Sequence, residues 1–146
     1  MIGIFGLRRA DAAAPVDLVE FAATLPARLR AECESGVGTA IGVARHPAGF
    51  EGGHAASADG AVSVVVTGAI FNGAELAGGA PVTGAADLIA QLYLAGRLDR
   101  LSDANGQFAA ALHDRRNRRL VLITDRLATT AIHVWRRGGE IAFATQ

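Results

Sequence analysis

The feature that most constrains the fold is a pair of segments near the end of the chain that are apolar on both faces. Phe108–Leu112 and Leu120–Thr124 lack the alternation of apolar and polar residues that a sheet with one solvent-facing side requires. Strands of this kind need a second sheet on one side and helices on the other. The pattern therefore predicts an α+β fold built as a four-layer αββα sandwich.

Periodicity and turn residues predict the remaining elements. The other predicted strands are Ile2–Leu7, Val37–Arg45, Ala61–Thr67, Gln107–His113, Ala131–Trp135 and Ile141–Ala144. The predicted helical segments are one that begins at Pro15 and carries Leu18 to Leu25, a second piece over Ala27–Glu34, a helix capped by Thr83 and ending at Ala95, and one turn at Leu98–Leu101. The predicted loops are Asp11–Pro15, Pro47–Gly60 and Gly73–Pro81.

Length and composition indicate one folded domain spanning residues 1–146. A hydrophobic fraction of 51% and a formal net charge of +0 exclude disorder and a general affinity for nucleic acid or membrane. The single cysteine, Cys33, excludes an internal disulfide and fits a reducing compartment. No signal peptide is visible, and the longest apolar run, at Val62–Val66, is far below membrane-spanning length, so we expect a cytoplasmic protein.

Short motifs in a fixed order resemble the glutaminase domain of class II glutamine amidotransferases of the asparagine-synthetase type. The regions that contain them make up roughly half of the chain, and the motifs are Met1–Gly6, Gly68–Asn72 with Glu75-Leu76, Asn105–Ala109, Leu112–Asp114, Arg119-Leu120, Asp125–Leu127 and Phe143-Ala144. Single motifs are weak signals, but their common order makes the resemblance specific. It implies a shortened version of the αββα sandwich of N-terminal-nucleophile hydrolases.

The resemblance also implies that the catalytic nucleophile is missing. The family begins Met-Cys-Gly-Ile-Phe-Gly and uses the cysteine, freed by removal of Met, as its nucleophile. This chain has Ile2 at that position, and a hydrocarbon side chain can neither ionise nor attack a carbonyl. A bulky second residue normally leaves the initiator methionine in place, so the α-amino group that would act as base belongs to Met1.

Three further departures fall on positions that bind substrate in the family. The oxyanion-hole Asn-Gly pair corresponds to Thr67-Gly68, which keeps the glycine amide but loses the longer donor. The carboxylate that binds the substrate amino group aligns with Ala85, while Asp87 aligns with another acidic position. The His-Arg-Gly-Pro-Asp stretch is absent, and Arg45-His46-Pro47 is a poor substitute. The resemblance thus leaves a vestigial oxyanion and substrate pocket at Thr67, Gly68, Asn72, Ala85 and Asp87.

Other reactive side chains have structural interpretations. Cys33 is predicted to be a partly buried bystander thiol in or after a helix. His46, His54, His113 and His133 have no spacing suited to a metal, and no metal site is expected. The four arginines of Arg115–Arg119 are interpreted as a solvated hairpin tip in preference to a docking site for an acidic partner. Asp125-Arg126 is predicted to close the following turn by hydrogen bonds and an ion pair, which is a structural role.

Together these features predict a catalytically inactive glutaminase-like domain that scaffolds or docks an ATP-dependent, asparagine-synthetase-like amide-forming ligase. A synthetase without ammonia from this domain takes its amine from the substrate itself, which resembles β-lactam synthetases and lasso-peptide cyclases in natural-product biosynthesis. The chain lacks the Ser-Gly-Gly-x-Asp-Ser nucleotide loop. ATP and Mg²⁺ are therefore expected in a synthetase domain in the same or another chain, and no cofactor is expected here.

Two alternatives remain open at this point. The chain could be a stand-alone binding module that uses the vacated pocket for a small ligand or a peptide. It could also be an active N-terminal-nucleophile-type hydrolase with an unusual nucleophile, for which Cys33, Thr39 and Thr67 are the candidates.

Overall fold

The computed structural model of the chain describes residues 3–49 and 52–146. Within these residues the strands are β1 (Gly3–Arg8), β2 (Pro15–Val16), β3 (Arg30–Glu34), β4 (Gly36–Val37), β5 (Thr39–Arg45), β6 (Gly53–Ala56), β7 (Val62–Ile70), β8 (Gly106–Asp114), β9 (Arg119–Thr124), β10 (His133–Arg137) and β11 (Glu140–Ala144). The helices are α1 (Val19–Ala23), α2 (Gly73–Leu76) and α3 (Ala85–Leu94), with a 3-10 helix at Leu98–Asp103.

The strands form two antiparallel sheets that stack face to face. Sheet I has the order β10-β11-β1-β5-β3, and sheet II has the order β6-β7-β8-β9, while β2 and β4 form a small separate ladder. In sheet I, β1 lies between β11 and β5, with Phe5 opposite both Ala144 and Gly42. In sheet II, β7 and β8 pair over nine positions, from Val62 opposite Asp114 to Ile70 opposite Gly106.

Three hydrophobic cores separate the layers. The first lies between sheet II and α3, and the buried α3 residues Leu88, Ile89 and Leu92 belong to it. The second lies between the sheets and joins residues such as Ile41 of sheet I to Val65 of sheet II. The third covers the outer face of sheet I with residues from the segment around α1. The order of layers is that of the predicted αββα sandwich, with a reduced outer layer on sheet I.

Strand β8, which contains the segment Phe108–Leu112 that is apolar on both faces, lies at the centre of the sandwich. All five residues of Phe108–Leu112 are at most 1% exposed. Phe108, Ala110 and Leu112 pack towards α3, whereas Ala109 and Ala111 face sheet I. β9 is also apolar on both faces, but its residues are half-buried because it forms the edge of sheet II. The α+β fold class with stacked sheets is therefore confirmed.

Several local predictions are wrong, among them the Thr83 cap, since the N-cap residue of α3 is Gly84. Pro15 does not start a helix but lies in β2, and α1 begins at Val19. The segment Ala27–Glu34, predicted as helical, ends in strand β3 at the edge of sheet I. The predicted loop Pro47–Gly60 contains strand β6, and the predicted loop Gly73–Pro81 begins with α2.

The alternation of side chains along the strands gives the space between the sheets two ends. Ile4, Gly6 and Arg8 follow one another on the inner face of β1, and Thr67, Val65 and Ser63 do so on the inner face of β7. The Gly3 end of β1 lies at the same end of this space as Thr67, and the Arg8 end lies near Ser63. The two ends are separated by about 13 Å, four residues at the strand rise.

Candidate functional site

A cleft of about 410 Å³ opens at the Gly3 end of the space between the sheets. Its walls come from the end of β7, the start of β8, the loop before β10 and the residues after β11. The residues that line it are Thr67, Gly68, Ala69, Phe71, Gln107, Thr129, Thr130, Ala131, Thr145 and Gln146. We call this the family cleft, because it contains the Thr67-Gly68 pair that the sequence placed in the vestigial pocket.

The end of β7 has a backbone conformation that only glycine adopts without strain. Gly68 has φ of +88°, and a Cβ atom there would lie 2.0 Å from the carbonyl oxygen of Gln107. The carbonyl of Gly68 accepts a hydrogen bond of 2.9 Å from the amide of Gly52. These contacts hold Thr67, which is 5% exposed and faces sheet I, at the inner wall of the family cleft.

The end of β1 is fixed to the residue that follows β11. The amide of Ile4 donates to Oγ1 of Thr145 over 3.2 Å, and the amide of Thr145 donates to the carbonyl of Ile4 over 3.0 Å. A Cβ atom on Gly3 would lie 2.3 Å from the same Oγ1, so the hydroxyl occupies the space beside this glycine. The predicted nucleophile position, Ile2, and the preceding Met1 lie outside the described residues.

The loop that forms the third wall is organised by Asp125, which is 6% exposed. Its Oδ1 accepts from the amides of Leu127 and Thr129, and its Oδ2 accepts from the amide of Phe108 and the hydroxyl of Thr129. Burial alone would raise the pKa of Asp125, but these hydrogen bonds lower it on balance. Asp125 closes the turn by hydrogen bonds, as predicted, whereas no ion pair of Arg126 is found among the described residues. The carboxylate of Asp125 holds Thr129 at the mouth of the family cleft.

The chemistry of the family cleft is that of hydroxyls, amides and aliphatic groups. None of the side chains that line it among the described residues is ionisable. A threonine hydroxyl is a weak nucleophile unless a neighbouring base accepts its proton. The described walls can therefore donate and accept hydrogen bonds, but they supply neither a charged partner nor a base.

The other predicted pocket residues lie outside the family cleft. The side chain of Asn72 joins two loops, since its amide donates to the carbonyl of Asp103 and its oxygen accepts from the amide of Asn105. Ala85 is the first residue of α3 and packs, partly buried, against the core under that helix. Asp87 accepts hydrogen bonds from the amide and hydroxyl of Thr83, just before the same helix. Of the five predicted residues, the fold brings only Thr67 and Gly68 together.

Cys33 and the arginine-rich turn also lie away from the family cleft. Cys33 is exposed on β3, on the opposite face of sheet I, and burial followed by the charge of Asp17 raises the pKa of its thiol. In the turn, Arg115 pairs with Glu34 and Arg116 pairs with Asp59. In residues 3–49 and 52–146, no three acidic, histidine or cysteine side chains lie close enough together to hold a metal. No helix in the same residues is long and apolar enough to cross a membrane.

Sequence reasoning missed the residues that form the rim of the family cleft. Thr129, Thr130 and Thr145 lie in segments that resembled ordinary turns and a chain end. The useful signal was the spacing of Asp125 and Thr129, which places a hydroxyl and an amide within reach of one carboxylate. Gln107 was inside a quoted motif, but nothing in the sequence marked it as part of the cleft.

Two stacked antiparallel sheets with helices outside, and a cleft between the sheet ends at the start of β1, define a fold of the N-terminal-nucleophile amidotransferase type. A family model described as a glutamine amidotransferase domain matches residues 49–146, about two thirds of the sequence, so the chain belongs to that family. The class II glutamine amidotransferase resemblance is thereby confirmed.

The structural comparison supports the same fold. The structure of glutamine phosphoribosylpyrophosphate (PRPP) amidotransferase from B. subtilis, complexed with ADP and GMP, is similar with a TM-score of 0.62 at 13% sequence identity. The match covers 98% of this chain and 41% of that chain, so this chain spans about two fifths of that protein's length. No curated protein matches the sequence.

Proposed function

We propose that the chain is a catalytically inactive glutaminase-like domain that scaffolds or docks an ATP-dependent amide-forming ligase of the asparagine-synthetase type. The observation that carries the proposal is that the described residues lining the family cleft have no ionisable side chain. Free glutamine has an ammonium and a carboxylate group, and a site that binds it must replace the hydration of both with charged or multiple hydrogen-bonding partners. The described residues of this cleft offer no such charged partner.

The sequence supports the loss of chemistry independently. Ile2 stands where the family has its nucleophile, and Thr67 stands where the family has its oxyanion-hole asparagine. Removing one oxyanion-hole donor typically costs about a hundredfold or more in rate. The hydrophobic cores and the hydrogen bonds around the cleft are nevertheless present. A domain that acts as a scaffold needs this stability and its surface, but it does not need catalytic residues.

The outer face of sheet I offers a surface for docking. Phe21 and Trp135 are 45% and 51% exposed there, and both line a groove of about 500 Å³. Clusters of exposed apolar side chains of this kind mark protein interfaces more often than single exposed residues do. We assign this face, the aromatic face, to contact with the synthetase domain, whether that domain is in the same chain or another.

The ligase would take its amine from its own substrate, because this domain would release no ammonia. That arrangement suits cyclisation of a peptide or of another natural product, in which an activated carboxylate is attacked by an amine of the same molecule. ATP and Mg²⁺ would act in the synthetase domain, and the dependence on ATP places the pair in the cytoplasm.

The first test measures glutamate released from glutamine by the purified chain, with an active class II amidotransferase assayed in parallel. We expect no release above the rate in buffer. Release that follows the protein through purification, and that disappears in Thr67→Ala, would show an active hydrolase and overturn the proposal.

The second test measures docking. The synthetase encoded in the same or an adjacent reading frame is co-expressed, and its affinity for the chain is measured with wild-type protein, Trp135→Gln and Leu127→Gln. Leu127 is 84% exposed but lies outside the aromatic face, so it serves as the matched control. We expect Trp135→Gln alone to weaken binding at least tenfold, as for an interface hot spot. Equal affinities would remove this face from the proposal.

The binding-module alternative predicts a different result. A calorimetric titration of the chain with glutamine, asparagine and acidic peptides would show saturable heat if the family cleft holds a ligand. Under the scaffold proposal these titrations remain flat.

A further inference from the structure

A second cleft, of about 430 Å³, opens at the other end of the space between the sheets. It is lined by Arg8, Ala12, Ser35, Gly36, Val37, Gly38, Thr39, His113, Arg115 and Arg118. We call it the distal cleft. It lies about 13 Å along the strands from the family cleft, and the two share no lining residue.

The polar side chains of the distal cleft come from both sheets and face each other. Arg8 of β1 and Thr39 of β5 are direct cross-strand neighbours in sheet I. His113 of β8 lies on the face of sheet II that packs against sheet I, two residues after the buried Ala111. Two regular strands and a third from the opposing sheet therefore position these groups, which gives a more rigid site than a mobile surface loop.

His113 is the buried group that points to a ligand. It is 4% exposed and lines the distal cleft from the inner face of sheet II. Burial, and then the charge of Arg115, lowers the pKa of His113, so the ring is neutral at pH 7 and presents one N–H donor. An imidazole in the wall of a cleft can donate this hydrogen bond to a water molecule or to a ligand in the cleft.

The charge of the distal cleft is positive. Arg115 is paired with Glu34 and also donates to the carbonyl of Gly60, so its charge is largely offset. Arg8 and Arg118 form no ion pair within residues 3–49 and 52–146, and no acidic side chain in those residues lines the cleft. Two uncompensated guanidinium groups beside a neutral imidazole and a hydroxyl match a dianion with several acceptor oxygens.

We propose that the distal cleft binds the phosphate group of a small phosphate monoester. Arg8 and Arg118 pair with the phosphate oxygens, and His113 and Thr39 donate hydrogen bonds to them. The cleft volume is within the usual range for small-molecule sites, and the remaining lining of small and glycine residues leaves room for the organic part of the ester. The site is independent of the proposed scaffold function, and its test does not use glutaminase or ligase activity.

The first experiment is a calorimetric titration of the full chain with inorganic phosphate and with glycerol 3-phosphate, in low-chloride buffer near pH 7. It is repeated with Arg8→Gln, Arg118→Gln and the control Arg28→Gln, which removes an exposed arginine that does not line the cleft. We expect saturable binding that weakens about tenfold in each of the first two variants and stays unchanged in the control. Absent binding, or equal losses in all three variants, would overturn the proposal.

The second experiment locates the ligand by NMR of the four histidine rings during the same titration. We expect the His113 ring signals to shift with the calorimetric affinity, while those of His46, His54 and His133 stay in place. A shift centred on another histidine would place the anion elsewhere. Tighter binding of succinate than of phosphate would replace the phosphate assignment with a dicarboxylate.

A third measurement uses sulfate, whose charge does not change near neutral pH. A bound anion favours the protonated form of His113, so sulfate affinity should rise as the pH falls through the pKa of the occupied site. The charged groups around the ring are Arg8 of β1, Glu34 of β3, and Asp114 and Arg115 of sheet II. His113→Gln keeps a donor but should abolish this pH dependence. An unchanged pH profile in that variant would exclude His113 from the site.

Discussion

Gly68 holds the inner wall of the family cleft through two separate constraints. Its φ of +88° lies in the left-handed region, and a Cβ atom would meet the carbonyl oxygen of Gln107 at 2.0 Å. Gly79 has nearly the same φ, +86°, but nothing lies within 4 Å of a Cβ atom built there. Substitutions at Gly68 and Gly79 therefore separate the cost of backbone strain from the cost of steric contact.

We predict that Gly79→Ala lowers the free energy of unfolding by about 1 kcal/mol, the usual cost of a left-handed non-glycine residue. Gly68→Ala should cost about 1–3 kcal/mol more, because β7 and β8 must move apart to admit the methyl group. Urea denaturation of both variants measures the difference. Equal losses of stability would mean that the backbone at Gly68 does not approach the carbonyl oxygen of Gln107 as closely as described.

Asp114 makes the stability of the fold depend on pH. Its carboxylate accepts hydrogen bonds from the hydroxyl of Tyr93 and from the backbone and side chain of Asn117. Burial alone would raise its pKa, but these hydrogen bonds lower the pKa of Asp114 to about 2, from an ordinary value of 3.8. Because the folded pKa is the lower one, the contribution is complete above pH 3.8 and is lost as the pH falls towards 2.

We predict that Asp114→Asn lowers the free energy of unfolding by about 2 kcal/mol at pH 6, and that this difference shrinks on acidification to near pH 2. Urea denaturation of wild type and variant at several pH values measures it. Asp99→Asn, at an exposed position, should show no such convergence. A difference for Asp114→Asn that stays constant with pH would mean that its hydrogen bonds do not stabilise the charged form.

The sequence predicts the apolar elements well and the polar edge strands poorly. β5, β7 and β8 are buried, and their runs of apolar residues predict strands at these positions. β3 has Glu32 and Glu34 on the face that would be apolar in an inner strand, so its sequence resembles a helix surface. Glu34 faces inward because Arg115 and His54 of the opposite sheet meet it there, and that contact depends on tertiary structure.

Glu34 links the two sheets through ion pairs. It lies on β3 of sheet I and pairs with Arg115, which follows β8, and with His54 of β6, the latter at 2.8 Å. Burial raises the pKa of Glu34, but the hydrogen bonds, led by that of Arg115, lower it on balance. The neighbouring Glu32 pairs with Arg45, which is in the same sheet, and the Glu32 side chain is 37% exposed whereas that of Glu34 is 18% exposed.

We predict that Glu34→Gln lowers the free energy of unfolding by about 2 kcal/mol, because it leaves Arg115 partly buried without its counter-charge. Glu32→Gln should cost less than about 1 kcal/mol, as for an exposed pair. Thermal and urea denaturation of both variants at pH 7 provide the comparison. Equal losses would show that the link between the sheets contributes no more than a surface ion pair.

At the scale of the whole molecule, the sequence predicted the sandwich, the family and one wall of the family cleft. Thr67 and Gly68 were found because they lie inside a motif that the family shares. Asn72 and Asp87 were placed in the same pocket by alignment, but their side chains complete loop and helix-start hydrogen bonds instead. The place of Thr129 at the rim of the family cleft could not be predicted. It depends on the hydrogen bonds by which Asp125 holds the loop after β9 against β8.

The two proposed losses, of the catalytic groups and of the charged substrate contacts, can be separated by restoring the nucleophile and the oxyanion donor alone. In Ile2→Cys with Thr67→Asn, the small second residue permits removal of the initiator methionine, which mass spectrometry checks, and both the thiol and the oxyanion donor return. We predict that this variant reacts with iodoacetamide at residue 2 but still releases no glutamate from glutamine, because the described cleft residues offer its ammonium and carboxylate no charged partner. Cys33 is alkylated in both proteins, so Cys33→Ser in the wild-type and restored backgrounds isolates the new thiol. Glutamate release by the restored variant would mean that the pocket still binds glutamine and that the nucleophile and the oxyanion donor are its only missing parts.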